Sequence, residues 1–185
     1  MKNIVIIDTS PRKGGNTDVM ADAVAAAIEA AGASVTRCHV REAKINPCLG
    51  CNACKGDSYT CIQKDDMPAL VEALSDADGI VFASPIYFGN ITGPGKTFID
   101  RLYCLFNPAK GMLARKAGKK AGVILCSSAP ADYTAVSDAL AGAFAVCGAT
   151  GERKTVLANG LAAGPAKDNA DLLAKAADLG KWILE

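Results

Sequence analysis

The chain has 185 residues, 50% of them hydrophobic, and 20 Lys and Arg against 19 Asp and Glu leave a net charge of +1. That length supports one domain of the usual roughly 100–200 residues, and that apolar fraction excludes a disordered polypeptide. Near-neutral charge and an aromatic content of only 5% argue against a nucleic-acid surface or an anionic-membrane partner.

No stretch approaches the roughly 18 uncharged apolar residues of a membrane-spanning helix. Only four apolar residues, Ile4 to Ile7, precede Asp8, so no secretory signal is expected, and a cytoplasmic protein is. In chain order, Asn3-Ile4-Val5-Ile6-Ile7-Asp8 reads as a strand apolar on both faces, as in the centre of a parallel sheet. A polar loop follows, Thr9-Ser10-Pro11-Arg12-Lys13-Gly14-Gly15-Asn16-Thr17. Behind it Met20, Val24, Ala27, Ile28 and Ala31 keep helical spacing, and Gly32 stands where a C-cap glycine belongs. Residues 35–40 read as a second strand. Residues 41–64 lack periodicity. Asp65, Asp66 and Pro68 mark a helix start, because acids and an early proline suit the first turn, and Leu70, Val71 and Leu74 give that helix its apolar stripe.

Residues 79–84 read as a third strand, 85–95 as a long loop and 96–105 as a helix. Residues 121–127 form a fourth strand. A helix capped by Asp132 carries Val136, Ala139, Leu140, Ala143 and Cys147 on one face. Residues 153–158 are a fifth strand and 167–184 the last helix. Strand and helix alternate five times, which implies an α/β fold with a parallel sheet between two helical layers. The commonest five-stranded doubly wound order is 2-1-3-4-5. Residues 1–185 are expected to form a single domain, with a cysteine-rich loop at about 45–64 inserted at the end of the sheet.

Ligands of such sheets bind beyond the carboxyl ends of the strands, where the order reverses. The first loop has the composition of a phosphate site: hydroxyls from Thr9, Ser10 and Thr17, the Asn16 amide, Arg12 or Lys13 as its cation, and a helix N-terminus behind them. An ordinary polar loop has the same composition. The G-x-G-x-x-G dinucleotide pattern is absent from this turn, and Gly95-Lys96-Thr97 fails as the end of a Walker A loop because Asn90 stands where that motif needs glycine. The second loop, Ser84-Pro85-Ile86-Tyr87-Phe88-Gly89-Asn90-Ile91-Thr92-Gly93, places two adjacent aromatics among small residues, a wall suited to a flat heteroaromatic ring.

Four of the eight cysteines fall within residues 48–61, as Cys48-x2-Cys51-x2-Cys54-x6-Cys61. Compact runs with two-residue gaps hold 4Fe–4S clusters. Zinc usually takes two C-x2-C pairs with a longer spacer, and a loop of free or disulfide-bonded cysteines is a third reading. Cys38, Cys104, Cys126 and Cys147 lie in apolar segments and read as buried small hydrophobes. His39, the lone histidine, reads as a strand residue away from the chemistry.

Three motifs in order resemble the flavodoxin-like NAD(P)H-dependent FMN reductases: Thr9-Ser10-Pro11-Arg12 with Gly15-Asn16-Thr17, the Asp65-Asp66-Met67 helix start, and Ser84-Pro85-Ile86-Tyr87-Phe88 followed by Lys96-x-Phe98-Ile99-Asp100-Arg101. The cysteine loop resembles that of their iron–sulfur flavoprotein branch, with Cys48, Cys51, Cys54 and Cys61 as the metal ligands. The resemblance implies FMN, its phosphate held by Ser10, Arg12, Asn16 and Thr17. Its isoalloxazine would lie against Pro85, Ile86, Tyr87, Phe88, Gly89 and Asn90, with Ser127, Ser128 and Ala129 closing the other side. Lys96, Asp100 and Arg101 would be structural or interface groups. The resemblance also implies a homodimer or homotetramer.

The flavin carries the redox chemistry in such proteins, so no protein acid, base or nucleophile is expected to be essential. NAD(P)H as co-substrate or a ferredoxin-like protein would donate electrons, and a small-molecule acceptor or protein partner would take them. Two other readings compete. One is a flavodoxin-like electron carrier without turnover of its own, which would usually be strongly acidic. The other is a zinc-stapled structural protein.

Overall fold

Alternate residues of the first strand, β1 (Asn3–Asp8), enter opposite layers, and this sorts the core into two halves. The computed structural model describes residues 1–56, 61–112 and 114–185. Residues 57–60 of the expected cysteine-rich loop lie outside the described residues. β1 pairs in parallel with β2 (Ser34–His39) and β3 (Gly79–Tyr87), which pairs with β4 (Lys120–Cys126), which pairs with β5 (Arg153–Ala158). The order is the expected 2-1-3-4-5. A sixth, two-residue strand, Asn90–Ile91, runs antiparallel to the end of β3.

Ile4 and Ile6 of β1, Val81 of β3 and Ile124 of β4 pack beneath Met20, Val24 and Ile28 of α1 (Asn16–Ala30) and Leu172, Ala176 and Leu179 of the C-terminal helix. Val5, Ile7, Phe82 and Leu125 pack on the other face against α2 (Met67–Asp76), α3 (Gly93–Arg101) and two short helices, α4 (Thr134–Ala139) and α5 (Ala141–Val146). The C-terminal helix is α6 (Ala170–Trp182). It lies close on α1 at Gly180, where a Cβ would come within 2.6 Å of the Val24 carbonyl oxygen. Lys119 is buried and donates from Nζ to the carbonyls of Leu74, Ser75 and Cys147, which satisfies the ends of α2 and α5.

The element boundaries differ from expectation where caps decide them. Thr92 accepts the Gly95 amide at 3.2 Å and starts α3 before Lys96; a tight turn, Leu102–Leu105, completes it. Asn169 accepts the Leu172 amide and starts α6 three residues after Lys167. The single helix expected after Asp132 is two helices meeting at Leu140, with Gly142, a poor helix former, just past the break. No helix of the described residues is long and apolar enough to cross a membrane.

Candidate functional site

The first loop is folded by its own side chains. Ser10 Oγ accepts the Arg12 amide at 3.2 Å and donates to the Arg12 carbonyl at 3.1 Å, while the Ser10 amide donates to Asp8 Oδ1 at 2.9 Å. Gly14 turns the chain at φ +67, a left-handed conformation that favours glycine. Its amide donates to Asp18 Oδ2 at 2.7 Å. No side chain caps the N-terminus of α1, so its first amides and positive dipole face a cleft of about 350 Å³. Ser10, Arg12, Asn16 and Thr17 all line that cleft, with Gly14, Gly15 and Val19 beside them.

The second wall is the end of β3. The segment expected to be a loop is a β-hairpin: the strand continues through Pro85, Ile86 and Tyr87, turns at Phe88 (φ +50) and Gly89 (φ +76), and returns through Asn90 and Ile91. Two positive-φ residues in succession match the right-handed strand twist. Pro85, Ile86 and Tyr87 line the cleft; Phe88, Gly89 and Asn90 do not. Phe88 projects fully into solvent from the turn. Ser127 and Ser128 line the opposite side, but Ala129 does not, its amide being turned to Ser127 Oγ and its carbonyl to the Gly160 amide.

A third wall, which carries no signal of its own in the sequence, comes from the loop after β5. Leu161, Pro165 and Lys167 line the cleft, and the Ala166 amide donates to Asn16 Oδ1 at 2.9 Å. That bond occupies the Asn16 oxygen and leaves its NH₂ as the group it can offer a ligand. The rule that ligands bind at strand carboxyl ends would have found this loop, since β5 ends there too. Cys126, at the end of β4, also lines the cleft. Burial pushes its thiol up to about 12, so it offers no thiolate to a ligand. Hydroxyls, backbone amides and two cations at one end and an apolar strand end at the other suit a phosphate joined to a flat ring.

His39 lies nearer this end of the sheet than expected. It closes β2 opposite Asp8, with Nδ1 3.6 Å from Asp8 Oδ2.

The cysteine loop is anchored at both ends by one buried ion pair. The Arg101 guanidinium meets Asp65 with both side chains buried, the Nη2–Oδ1 distance being 3.0 Å. It also donates to the Asn46 carbonyl at 2.8 Å and to Cys61 Sγ at 3.5 Å. Asp65 accepts the amides of Asn46 and Met67. Hydrogen bonding from Arg101 holds the Asp65 carboxyl down at about 2. Lys55 donates to the carbonyls of Tyr103 and Phe106, and Asn107 Nδ2 donates to the Lys55 carbonyl at 3.1 Å. Cys48 and Cys51 are exposed, Cys54 and Cys61 half-buried, and all four are free thiols. Among the described residues no three cysteine sulfurs lie within 4.8 Å of one another. The donor set itself fits a metal cluster: four soft ligands on one short segment, with Arg101 donating to one of them. Cys38, Cys104, Cys126 and Cys147 are buried, as the sequence suggested.

Residues 2–162 match the family described as NADPH-dependent FMN reductase. Over 104 residues the chain is 42% identical to an iron-sulfur flavoprotein of Archaeoglobus fulgidus, a stretch covering 55% of this chain and 46% of that one. Over 125 residues it is 31% identical to an iron-sulfur flavoprotein of Methanocaldococcus jannaschii, covering 64% of each. The chain spans about half the length of the first curated relatives it matches. An NAD(P)H:quinone oxidoreductase structure from Methanothermobacter marburgensis superposes with a TM-score of 0.79 over 100% of this chain and 98% of that one. At 13% identity this likeness is one of fold.

Proposed function

The chain belongs to the NADPH-dependent FMN reductase family, and from that premise we propose that it is an FMN-dependent oxidoreductase. The observation that carries the reading is the cleft itself, in which Ser10, Arg12, Asn16 and Thr17 at the start of α1 share one cavity with Pro85, Ile86 and Tyr87. Bound there, FMN would accept electrons from NAD(P)H or a ferredoxin-like donor and pass them to a small-molecule acceptor or a protein partner. The chain's own part is to bind and orient. The first backbone amides of α1, the Asn16 NH₂ and the Arg12 and Lys167 cations hold the phosphate. The β3 end packs against the ring, and Ser127 and Ser128 bound it opposite. No side chain is assigned an acid, base or nucleophilic role.

Cys48, Cys51, Cys54 and Cys61 would hold a 4Fe–4S cluster, which would supply one-electron transfer. The C-x2-C-x2-C-x6-C spacing and the relatives named iron-sulfur flavoproteins support this. Exposed apolar residues at Phe88, Tyr103, Phe106 and Leu49 support association into a homodimer or homotetramer.

The test is anaerobic purification followed by flavin and iron analysis and addition of NADH or NADPH. About one FMN per chain, bleached by a nicotinamide, supports the oxidoreductase. Failure to bind FMN overturns it. About four irons per chain support the cluster, and an iron-free protein that resists anaerobic reconstitution removes it.

A further inference from the structure

Beneath the first loop lies a group of ionisable side chains with no part in the function just described. Asp8 closes β1 with its side chain wholly buried. Its Oδ1 accepts the Ser10 amide, but Oδ2 is buried without a hydrogen-bond partner. Asp18, in the first turn of α1 and also buried, accepts the Gly14 amide on Oδ2 and Arg41 Nη1 on Oδ1, the latter at 2.8 Å. The two carboxylates thus grip the two sides of the loop, at Ser10 and at Gly14. One ligand atom each from Asp8, Asp18 and His39 lie within 4.8 Å of one another.

Three elements packed around this pair bring titratable or charged groups to it. From β2 and the turn after it come Arg37 Nη2 at 3.5 Å and Arg41 Nη1 at 3.9 Å from Asp8 Oδ2, with His39 Nδ1 at 3.6 Å, and Cys38 and Glu42 beyond. From α1 comes Asp22, which engages Arg37. From β4 comes the un-ionised Cys126 thiol. A divalent cation would find three ligand atoms here, but two guanidiniums already stand within 4 Å of Asp8 Oδ2. Two carboxylates this close and out of water resist double ionisation. A proton on Asp8 Oδ2, donated toward Asp18, removes both the repulsion and the unpartnered buried oxygen.

We propose that Asp8 and Asp18 share one proton, and that this singly protonated pair is the positioning device that holds the loop, and with it the first amides of α1, in the phosphate-binding arrangement. The second half of this statement rests on the FMN reading. Burial and the neighbouring Asp18 raise Asp8 to about 7. Burial also opposes ionisation of Asp18, but hydrogen bonds from Asp8, Gly14 and Arg41 outweigh it and hold Asp18 below the ordinary carboxyl range. The pair titrates as a unit. When the proton leaves, a second negative charge appears directly under the site of a phosphate dianion, and the carboxylates repel one another across the loop. Affinity for phosphate then falls as pH rises through neutrality. The phosphate's own second ionisation, at a pKa of about 6, works in the opposite direction.

The pair is tested first without flavin. Carbon-13 NMR of aspartate carboxyls in the flavin-free protein, assigned with Asp8→Asn and Asp18→Asn, is expected to show one carboxyl titrating near neutrality. All aspartates titrating below about pH 5 would overturn the shared proton. FMN binding is then followed by fluorescence. In wild type the dissociation constant should rise roughly fivefold between pH 7 and pH 8, as uptake of one proton with a midpoint near 7 requires. Asp8→Asn can still accept the Ser10 amide and can donate to Asp18, so it should hold the low-pH affinity across that range. Parallel pH profiles in wild type and Asp8→Asn would overturn the positioning role. Absence of FMN binding at any pH would refute the flavin reading and with it that role, while the NMR titration decides the shared proton independently.

Discussion

The Thr92 hydroxyl donates to the Thr9 carbonyl at 3.0 Å while accepting the Gly95 amide at 3.2 Å. One buried side chain therefore caps α3 and joins the two loops that wall the cleft. Gly95 belongs to the same contact, since a Cβ there would come within 3.0 Å of Thr9 Oγ1. Its resemblance to a Walker A glycine thus has a packing explanation.

Thr92→Val keeps the shape and removes both bonds. Loss of the cap costs about 1 kcal/mol, and the buried Thr9 carbonyl left without this donor costs about 1–3 kcal/mol more. Urea unfolding should show a loss of about 2–4 kcal/mol, and Thr92→Ser should recover most of it. A Val variant as stable as wild type would show that the loops are joined by other contacts.

Lys167→Ala and Arg12→Ala should each weaken FMN binding and leave riboflavin binding nearly unchanged, because only FMN carries the phosphate these cations meet. A charge-assisted bond contributes about 1.5–3 kcal/mol, and both side chains are exposed, so the loss is expected at or below the low end. Ser10→Ala removes the hydroxyl that closes the loop on Arg12 and should weaken FMN by about 0.5–1.5 kcal/mol. Paired fluorescence titrations with the two flavins provide the check. Equal losses for both would place the phosphate elsewhere.

Arg101→Leu leaves Asp65 buried and uncompensated. Removing one partner of such a pair costs about 3–5 kcal/mol. The pH sign follows from Asp65, whose carboxyl is held down at about 2 from its ordinary 3.8. Its folded form therefore favours the ionised state. This contribution, on the order of 2 kcal/mol, is present above about pH 4 and fades as pH falls toward 2. Acid titrations followed by circular dichroism should show Arg101→Leu unfolding at higher pH than wild type. Coincident acid transitions would contradict the pairing.

Alkylation should sort the cysteines by environment. In the native metal-free protein, Cys48 and Cys51 should react first with iodoacetamide, both being exposed. Cys126 and Cys147 should stay unmodified, since burial pushes each thiol up to about 12. Peptide mass mapping over time reads the order. Early modification of Cys126 would mean that the cleft opens to its β4 wall.

The five strands, their order and most of the cleft were readable because apolar runs and loop composition are local signals. The hairpin was not. Residues 85–95 read as a loop, yet Pro85 lies in β3 with its backbone in parallel register with Cys126, and Phe88 occupies a conformation few sequence rules would assign it. Lys167 carries no motif; its place depends on the bond from Ala166 to Asn16, 150 residues away in the chain. Asp8 read only as the polar end of a strand, and Asp18 carried no signal in the sequence. Only the return of β2 alongside β1, which brings Arg37 and His39 to them, makes the two a pair.

Gly180 gives the far end of the molecule a say in the cleft. At that point α6 rests directly on the backbone of α1, and the other end of α6 begins just past Pro165 and Lys167, which line the cleft. A methyl group at Gly180 would meet the Val24 carbonyl oxygen and the Ala27 side chain, so α6 and α1 would have to move apart there. A change more than a hundred and fifty residues from the first loop in sequence, and touching no ligand, would then be felt as a loosened grip on phosphate.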